Sequence, residues 1–167
     1  MGRRVEMFQI LQKMKTNRLV KIFGEPGIGK TSLVAACCQY ISDRIHIMDV
    51  EEILWVPSDQ EVQKDDGIRN ILGELFAFIQ DDCSRSFLQN ECNDLVRKAV
   101  ELLKDKKTIL IVDAKSFLEN GMKILASFLH ELLLKARNIK VIVILRHGKE
   151  NAFCQRQWPC ISYHVPI

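Results

Sequence analysis

No stretch of the chain approaches the roughly 20 consecutive apolar residues that a membrane-crossing helix needs, so no membrane association is expected. No apolar segment follows the opening Met1, Gly2, Arg3 and Arg4, and Glu6 stands where a myristoylated chain wants Ser or Thr, so neither a secretory signal nor an N-terminal lipid is expected. Charge of one sign is not in large excess: 24 Lys and Arg face 21 Asp and Glu, for a net +3. That balance is too mild for binding driven by a phosphate backbone, and no specific nucleic-acid partner is expected. The basic surplus gathers early, at Arg3, Arg4, Lys13, Lys15, Arg18 and Lys21 against Glu6, and reads as a solvated helix face.

The cysteines lack the spacings that would give them a job. Six are present, at 37, 38, 83, 92, 154 and 160, with no C-x-x-C pair. A chain of 167 residues with 47% hydrophobic side chains can bury a core without a disulfide framework. Reduced thiols in a cytoplasmic setting are therefore expected. A zinc site drawn from His147, Cys154, Cys160 and His164 matches no usual ligand spacing. There is no internal repeat and no low-complexity tract.

What is present is an alternation of strand and helix patterns in one domain. Met7, Ile10, Leu11 and Met14 recur at helical spacing over 4–14. A strand follows at 18–23 and a helix at 30–42, with Leu33, Cys37 and Ile41 on one face. Further strands are expected at 53–56, 108–112, 140–145 and 161–165, and further helices at 67–80, 90–104 and 118–136, with a polar loop over 58–66. The strands are continuous β-branched runs and do not alternate with polar residues, the mark of strands buried on both faces. An α/β fold follows, with helices on both sides of a parallel sheet.

Gly24-Glu25-Pro26-Gly27-Ile28-Gly29-Lys30-Thr31 meets every required position of G-x-x-x-x-G-K-S/T, between an apolar strand and an amphipathic helix. Gly24, Gly27 and Gly29 allow left-handed dihedrals and close approach to an anion. Successive backbone N–H groups and the start of the helix supply donors and partial positive charge. Lys30 suits the β- and γ-phosphates, and the Thr31 hydroxyl suits a magnesium ion, with Ser32 beside it. Asp113 ends the apolar run Ile109-Leu110-Ile111-Val112 and is expected to hold the magnesium-bound water. Its one rival is Asp49, after the weaker run Ile45-His46-Ile47-Met48. Arg146 closes the 140–145 strand, where a guanidinium can sense the γ-phosphate. The catalytic candidates are thus Lys30, Asp113 and Arg146, and the metal candidates Thr31 and Asp113. No N-K-x-D element for guanine is present, which favours ATP or ADP.

Gly2-Arg3-Arg4-Val5-Glu6, the phosphate loop, the Asp113 strand and the Arg146 strand follow the order of the STAND-class signalling ATPases, and the chain resembles their NB-ARC and NACHT nucleotide-binding domains. Leu54-Trp55-Val56 is similar to the family's second strand. The resemblance covers nearly the whole chain. It implies a three-layer sandwich with a five-stranded parallel sheet in the order 5-1-4-3-2, and the backbone of Gly2 and Arg3 against adenine. Residues 1–16 would form the G-R-x-x-E helix and 17–167 the nucleotide-binding sheet, cut from a larger protein with effector and repeat domains. It also implies a switch, closed with ADP and open and self-associating with ATP. Two departures stand out. Asp113 is followed by Ala114, Lys115, Ser116 and Phe117 with no second acid, so slow hydrolysis is expected. Ile144 and Leu145 replace the hydroxyl residues that precede the family's sensor arginine. Three functions stay open: a regulatory ATP/ADP switch, a working AAA-type ATPase or small-molecule kinase, and a scaffold that no longer binds nucleotide.

Overall fold

The computed structural model describes residues 3–56, 67–79, 92–117, 119–146 and 163–166. The polar loop at 58–66 and the His147, Cys154 and Cys160 positions fall outside them. Along the chain run α1 (Arg4–Thr16), β1 (Leu19–Gly24), α2 (Lys30–Ser42), α3 (Ile45–Met48), β2 (Glu52–Val56), α4 (Gly67–Ile79), α5 (Cys92–Leu103), β3 (Thr108–Asp113), α6 (Glu119–Lys135), β4 (Lys140–Arg146) and β5 (Tyr163–Pro166). The strands form one sheet in the order β2-β3-β4-β1-β5, and every pairing is parallel. This is the expected 5-1-4-3-2 order, with the Arg146 strand between the phosphate-loop strand and the Asp113 strand.

The continuous apolar strands are buried on both faces because successive side chains point to opposite sides. Leu110 and Val112 of β3, with Val141, Val143 and Leu145 of β4, enter a core shared with α4, α5 and α6, which includes Leu75, Phe76, Val100, Phe128 and Leu132. Ile109 and Ile111 of β3, with Ile142 and Ile144 of β4, enter a second core. It is shared with Ile10 and Met14 of α1 and with Leu33, Cys37 and Ile41 of α2. The Cys37 thiol is pushed up to about 12 by burial, first of all, and then by its neighbour Cys38. It behaves there as a small apolar residue.

The rival carboxylate is set aside and one sequence expectation is corrected. Ile45–Met48, the weaker run before Asp49, is a single helical turn, and Asp49 follows it with φ 51°. Its carboxylate pairs with Lys107 at 2.6 Å, beside the starts of β2 and β3, at the opposite end of the parallel strands from the phosphate loop. The early basic residues do not share one solvated face. Lys21 lies within β1 and is fully buried. The Arg18 guanidinium donates to the carbonyls of Ala136 (3.0 Å), Arg137 (3.1 Å) and Leu133, so a cation satisfies the carbonyl end of α6. At the other side, Lys140 Nζ donates to the Met14 carbonyl, and Asn17 Nδ2 donates to Lys13 O at 2.9 Å. The Lys140 bond ties the end of α1 to β4, and the Asn17 amide caps that same helix end. Among the described residues no helix is long and apolar enough to cross a membrane.

Candidate functional site

Parallel sheets bind ligands where the carboxyl ends of their strands open. Here Gly24 of β1 lies in register with Arg146 of β4, and Asp113 of β3 with Ile144 of β4. All three functional strand ends therefore meet at one edge. Pro26, Gly27, Gly29, Lys30, Thr31, Lys115, Ser116 and Arg146 line a cleft of about 450 Å³ there.

The loop between β1 and α2 is closed by the Ile28 N–H donating to Glu25 O at 3.5 Å. Gly27 has φ 80° and Gly29 φ 87°, the left-handed region that favours glycine. A Cβ on Gly27 would meet nothing within 4 Å, so the dihedral and not the space demands glycine there. Gly24 ends β1 without a positive φ, so two of the three glycines, not all three, carry the left-handed turns. Gly29 precedes α2 and no side chain caps that helix, which leaves its first-turn N–H groups to an anion.

Lys30 is buried, and its ammonium donates to Gly24 O and Glu25 O, both at 2.7 Å. Two of its three N–H bonds are thus spent on the loop, and one is left for a phosphate oxygen. Burial pushes the Lys30 pKa down, and the Lys115 charge adds to this, while Asp113 and then Glu25 oppose it.

The Thr31 hydroxyl donates to Asp113 Oδ2 at 3.4 Å, which brings the two expected metal ligands together. Both oxygens are of the kind magnesium prefers, but at 3.4 Å they stand wider than the roughly 2.9 Å between adjacent octahedral corners with bonds of 2.0–2.1 Å. Asp113 is only 4% exposed and lies beneath Lys115, behind the cleft wall. Lys115 Nζ donates to Thr31 Oγ1 at 2.8 Å and pairs with Asp113 Oδ2 at 2.8 Å. The turn that places it is built locally. Ala114 N–H extends the sheet onto Ile144 O at 3.0 Å, Lys115 N–H donates to Asp113 Oδ1 at 3.4 Å, and Phe117 N–H donates to Ala114 O at 3.3 Å.

A second recess, of about 500 Å³, lies between α1 and α2 and is lined by Arg3, Arg4, Met7, Gly29, Ser32, Leu33 and Ala36. Gly29 borders both spaces. The Arg3 guanidinium carbon lies 3.9 Å from where a Gly29 Cβ would stand, and its Nη1 is buried with no hydrogen-bond partner among the described residues. Of the predicted site residues, Pro26, Gly27, Gly29, Lys30, Thr31 and Arg146 come together at the first cleft. Arg3 and Ser32 fall in the second recess. Gly24, Glu25 and Ile28 shape the loop without lining either space, and Gly2 lies outside the described residues. Lys115 and Ser116 are the cleft residues that sequence reasoning did not select. The available signal was a lysine two positions after the strand-ending acid.

The NB-ARC domain description matches residues 4–144. The chain belongs to the NB-ARC family. The match begins after Gly2 and Arg3 and stops before Arg146. No curated protein matches the chain. Among solved structures, this NB-ARC domain is similar to Cdc6p from Pyrobaculum aerophilum, with a TM-score of 0.67 at 14% identity, over 99% of this chain and 45% of that one. It is also similar to the Aeropyrum pernix ORC2 protein in its ADPNP-ADP complexes, with a TM-score of 0.54 at 14% identity, over 99% and 48%. A Walker-type ATPase of Pyrococcus abyssi gives 0.51 at 13% identity, over 99% and 53%. These likenesses show the fold, and the chain spans about half the length of each. Together with the family match they make the chain a P-loop NTPase nucleotide-binding domain.

Proposed function

We propose that this domain is the ATP/ADP-binding switch of a larger signalling protein, and that it hydrolyses ATP slowly. The observation that carries this reading is the composition of the cleft wall. Lys30, Thr31 and Arg146 surround it, but no carboxylate does among the described residues. Asp113, at the end of β3, is buried and engaged by both Thr31 and Lys115. Holding phosphates needs cations and N–H donors, whereas fast hydrolysis also needs a group that orients the attacking water.

The residues divide the work as follows. The left-handed Gly27 and Gly29 turn loop amides toward the phosphates, and Lys30 donates its remaining N–H to a β- or γ-oxygen. Arg146, exposed at the end of β4, reaches the terminal phosphate, so that ATP and ADP are told apart by one guanidinium contact. The recess beside Arg3 and Met7 takes the adenine end, since it adjoins the phosphate cleft at Gly29. Thr31 and Asp113 would hold a magnesium ion, which when bound neutralises phosphate charge. The parent chain would supply effector and repeat domains, with self-association following ATP binding.

Nucleotide-dependent melting and steady-state turnover, measured on one sample, test the proposal. The switch predicts stabilisation by ADP and by ATP with turnover well below the roughly 1–100 s⁻¹ of phosphoryl-transfer enzymes. Turnover in that range would favour an ATPase or kinase, and no stabilisation by either nucleotide would leave only a scaffold.

A further inference from the structure

The position between Thr31 and Asp113 is held by the protein's own cation. Lys115 Nζ lies 2.8 Å from Thr31 Oγ1 and 2.8 Å from Asp113 Oδ2, the same two oxygens assigned above to magnesium. A magnesium ion with both oxygens at 2.0–2.1 Å would sit against that nitrogen, so ion and ammonium cannot share the place. We propose that Lys115 is a built-in counter-cation of the nucleotide site. It substitutes for the divalent ion, so nucleotide binding is nearly independent of magnesium, and magnesium enters only by displacing the ammonium from both oxygens. The inference rests on the nucleotide-binding reading and specifies its ligand: a nucleoside di- or triphosphate without its metal.

Three observations support this. First, the placement is anchored on both sides of the lysine. Its own N–H donates to Asp113 Oδ1 at 3.4 Å, and Phe117, two residues on, is buried in the core. The ammonium therefore returns to the carboxylate from a fixed turn. Second, Lys115 lines the phosphate cleft beside Lys30 and Arg146. Two of its three N–H donors go to Thr31 and Asp113, which leaves one for a phosphate oxygen. Third, Lys115 removes the obstacle that a divalent ion ordinarily removes. A bare Asp113 carboxylate would repel an incoming phosphate, and here it is neutralised before the ligand arrives. A lysine is a strongly hydrated point charge with rotatable donors, so it can satisfy a hydroxyl, a carboxylate and a phosphate together.

The test is calorimetric titration of ADP into the purified chain, once with excess magnesium and once with EDTA. The unmodified chain is expected to give affinities that agree within about threefold, whereas Lys115→Met, which keeps the stem, should bind at least about tenfold more weakly in EDTA than in magnesium. A manganese titration of the unmodified chain followed by electron paramagnetic resonance gives a second readout that needs no variant. ADP on the protein should hold Mn²⁺ no more tightly than free ADP does. A tenfold or greater gain in ADP affinity from magnesium in the unmodified chain, or tight Mn²⁺ retention there, would overturn the proposal. So would a folded Lys115→Met that depends on magnesium no more than its parent. Absence of ADP binding in every condition would instead defeat the nucleotide reading itself, and this inference with it.

Discussion

Ile109 and Ile111 leave β3 on one side of the sheet, and Leu110 and Val112 leave it on the other. What they meet differs. The Leu110 side packs against three helices, α4, α5 and α6, and among the described residues contributes no side chain to the phosphate cleft apart from the strand ends. The Ile109 side packs against α2, which borders both recesses, and against α1, which borders the second. One face is therefore the stability reserve, and the other couples the core to the ligand. A strand with period two can serve both because neighbouring side chains never share a face.

The sharpest way to break this division is a large deletion on the three-helix side. Phe128 is fully buried there, and Phe128→Ala should cost about 3–5 kcal/mol of folding free energy. Urea unfolding measures the loss, and the stabilisation by ADP, in kcal/mol, should survive it. If both disappear together, the faces are not separate. Next comes Lys30→Ala, which should abolish phosphate-dependent stabilisation. ADP near 100 times its dissociation constant adds about 2.7 kcal/mol to a protein that binds it, and the variant should show none of this. Equal melting shifts in parent and variant would remove Lys30 from the site. Gly29→Ala is a smaller perturbation. Its φ of 87° is left-handed, and the new Cβ would lie 3.9 Å from the Arg3 guanidinium carbon, an ordinary contact. The cost is thus dihedral, about 1–2 kcal/mol, seen by chemical denaturation, with weaker ADP binding.

A last effect appears only in alkali. The fold keeps the Cys37 thiol protonated up to about 12, against an ordinary 9.0 for the unfolded chain. Between those values the native state binds more protons, so the contribution is complete below pH 9 and fades as pH rises toward 12. The slope from this one group is at most about 1.4 kcal/mol per pH unit. Cys37→Ala should flatten that segment of a stability-versus-pH curve, and an unchanged slope would place the thiol elsewhere than in the α2 core.

Much of this was legible in the chain because the signals were local. A β-branched run is buried on both sides wherever it lies, and a glycine-rich loop with Lys-Thr needs only its own strand and helix. The strand order came from the family resemblance and not from spacing. What escaped depended on partners distant in sequence. Arg18 looked like one more surface cation until α6 ended beside it, 115 to 119 residues away. Lys21 counted as charge, although its strand is central and both its faces are covered. Ile45–Met48 is apolar enough for a strand, yet Arg44 O accepts from the Ile47 and Met48 N–H groups and turns it into a helix. Lys115 was read only as a missing acid, because its role depends on Thr31, 84 residues away in the chain.

The tie from Lys140 to Met14 makes α1 a lever pinned at one end. Its 13 residues span about 20 Å, so a tilt of about 5° at the pin swings the far end, where Arg3 rests beside Gly29, through about 2 Å. That travel is a large fraction of the gap between guanidinium and glycine. A pull on the chain ahead of α1 would therefore register at the phosphate loop, and a change in the loop would be felt as a push on whatever is fastened there.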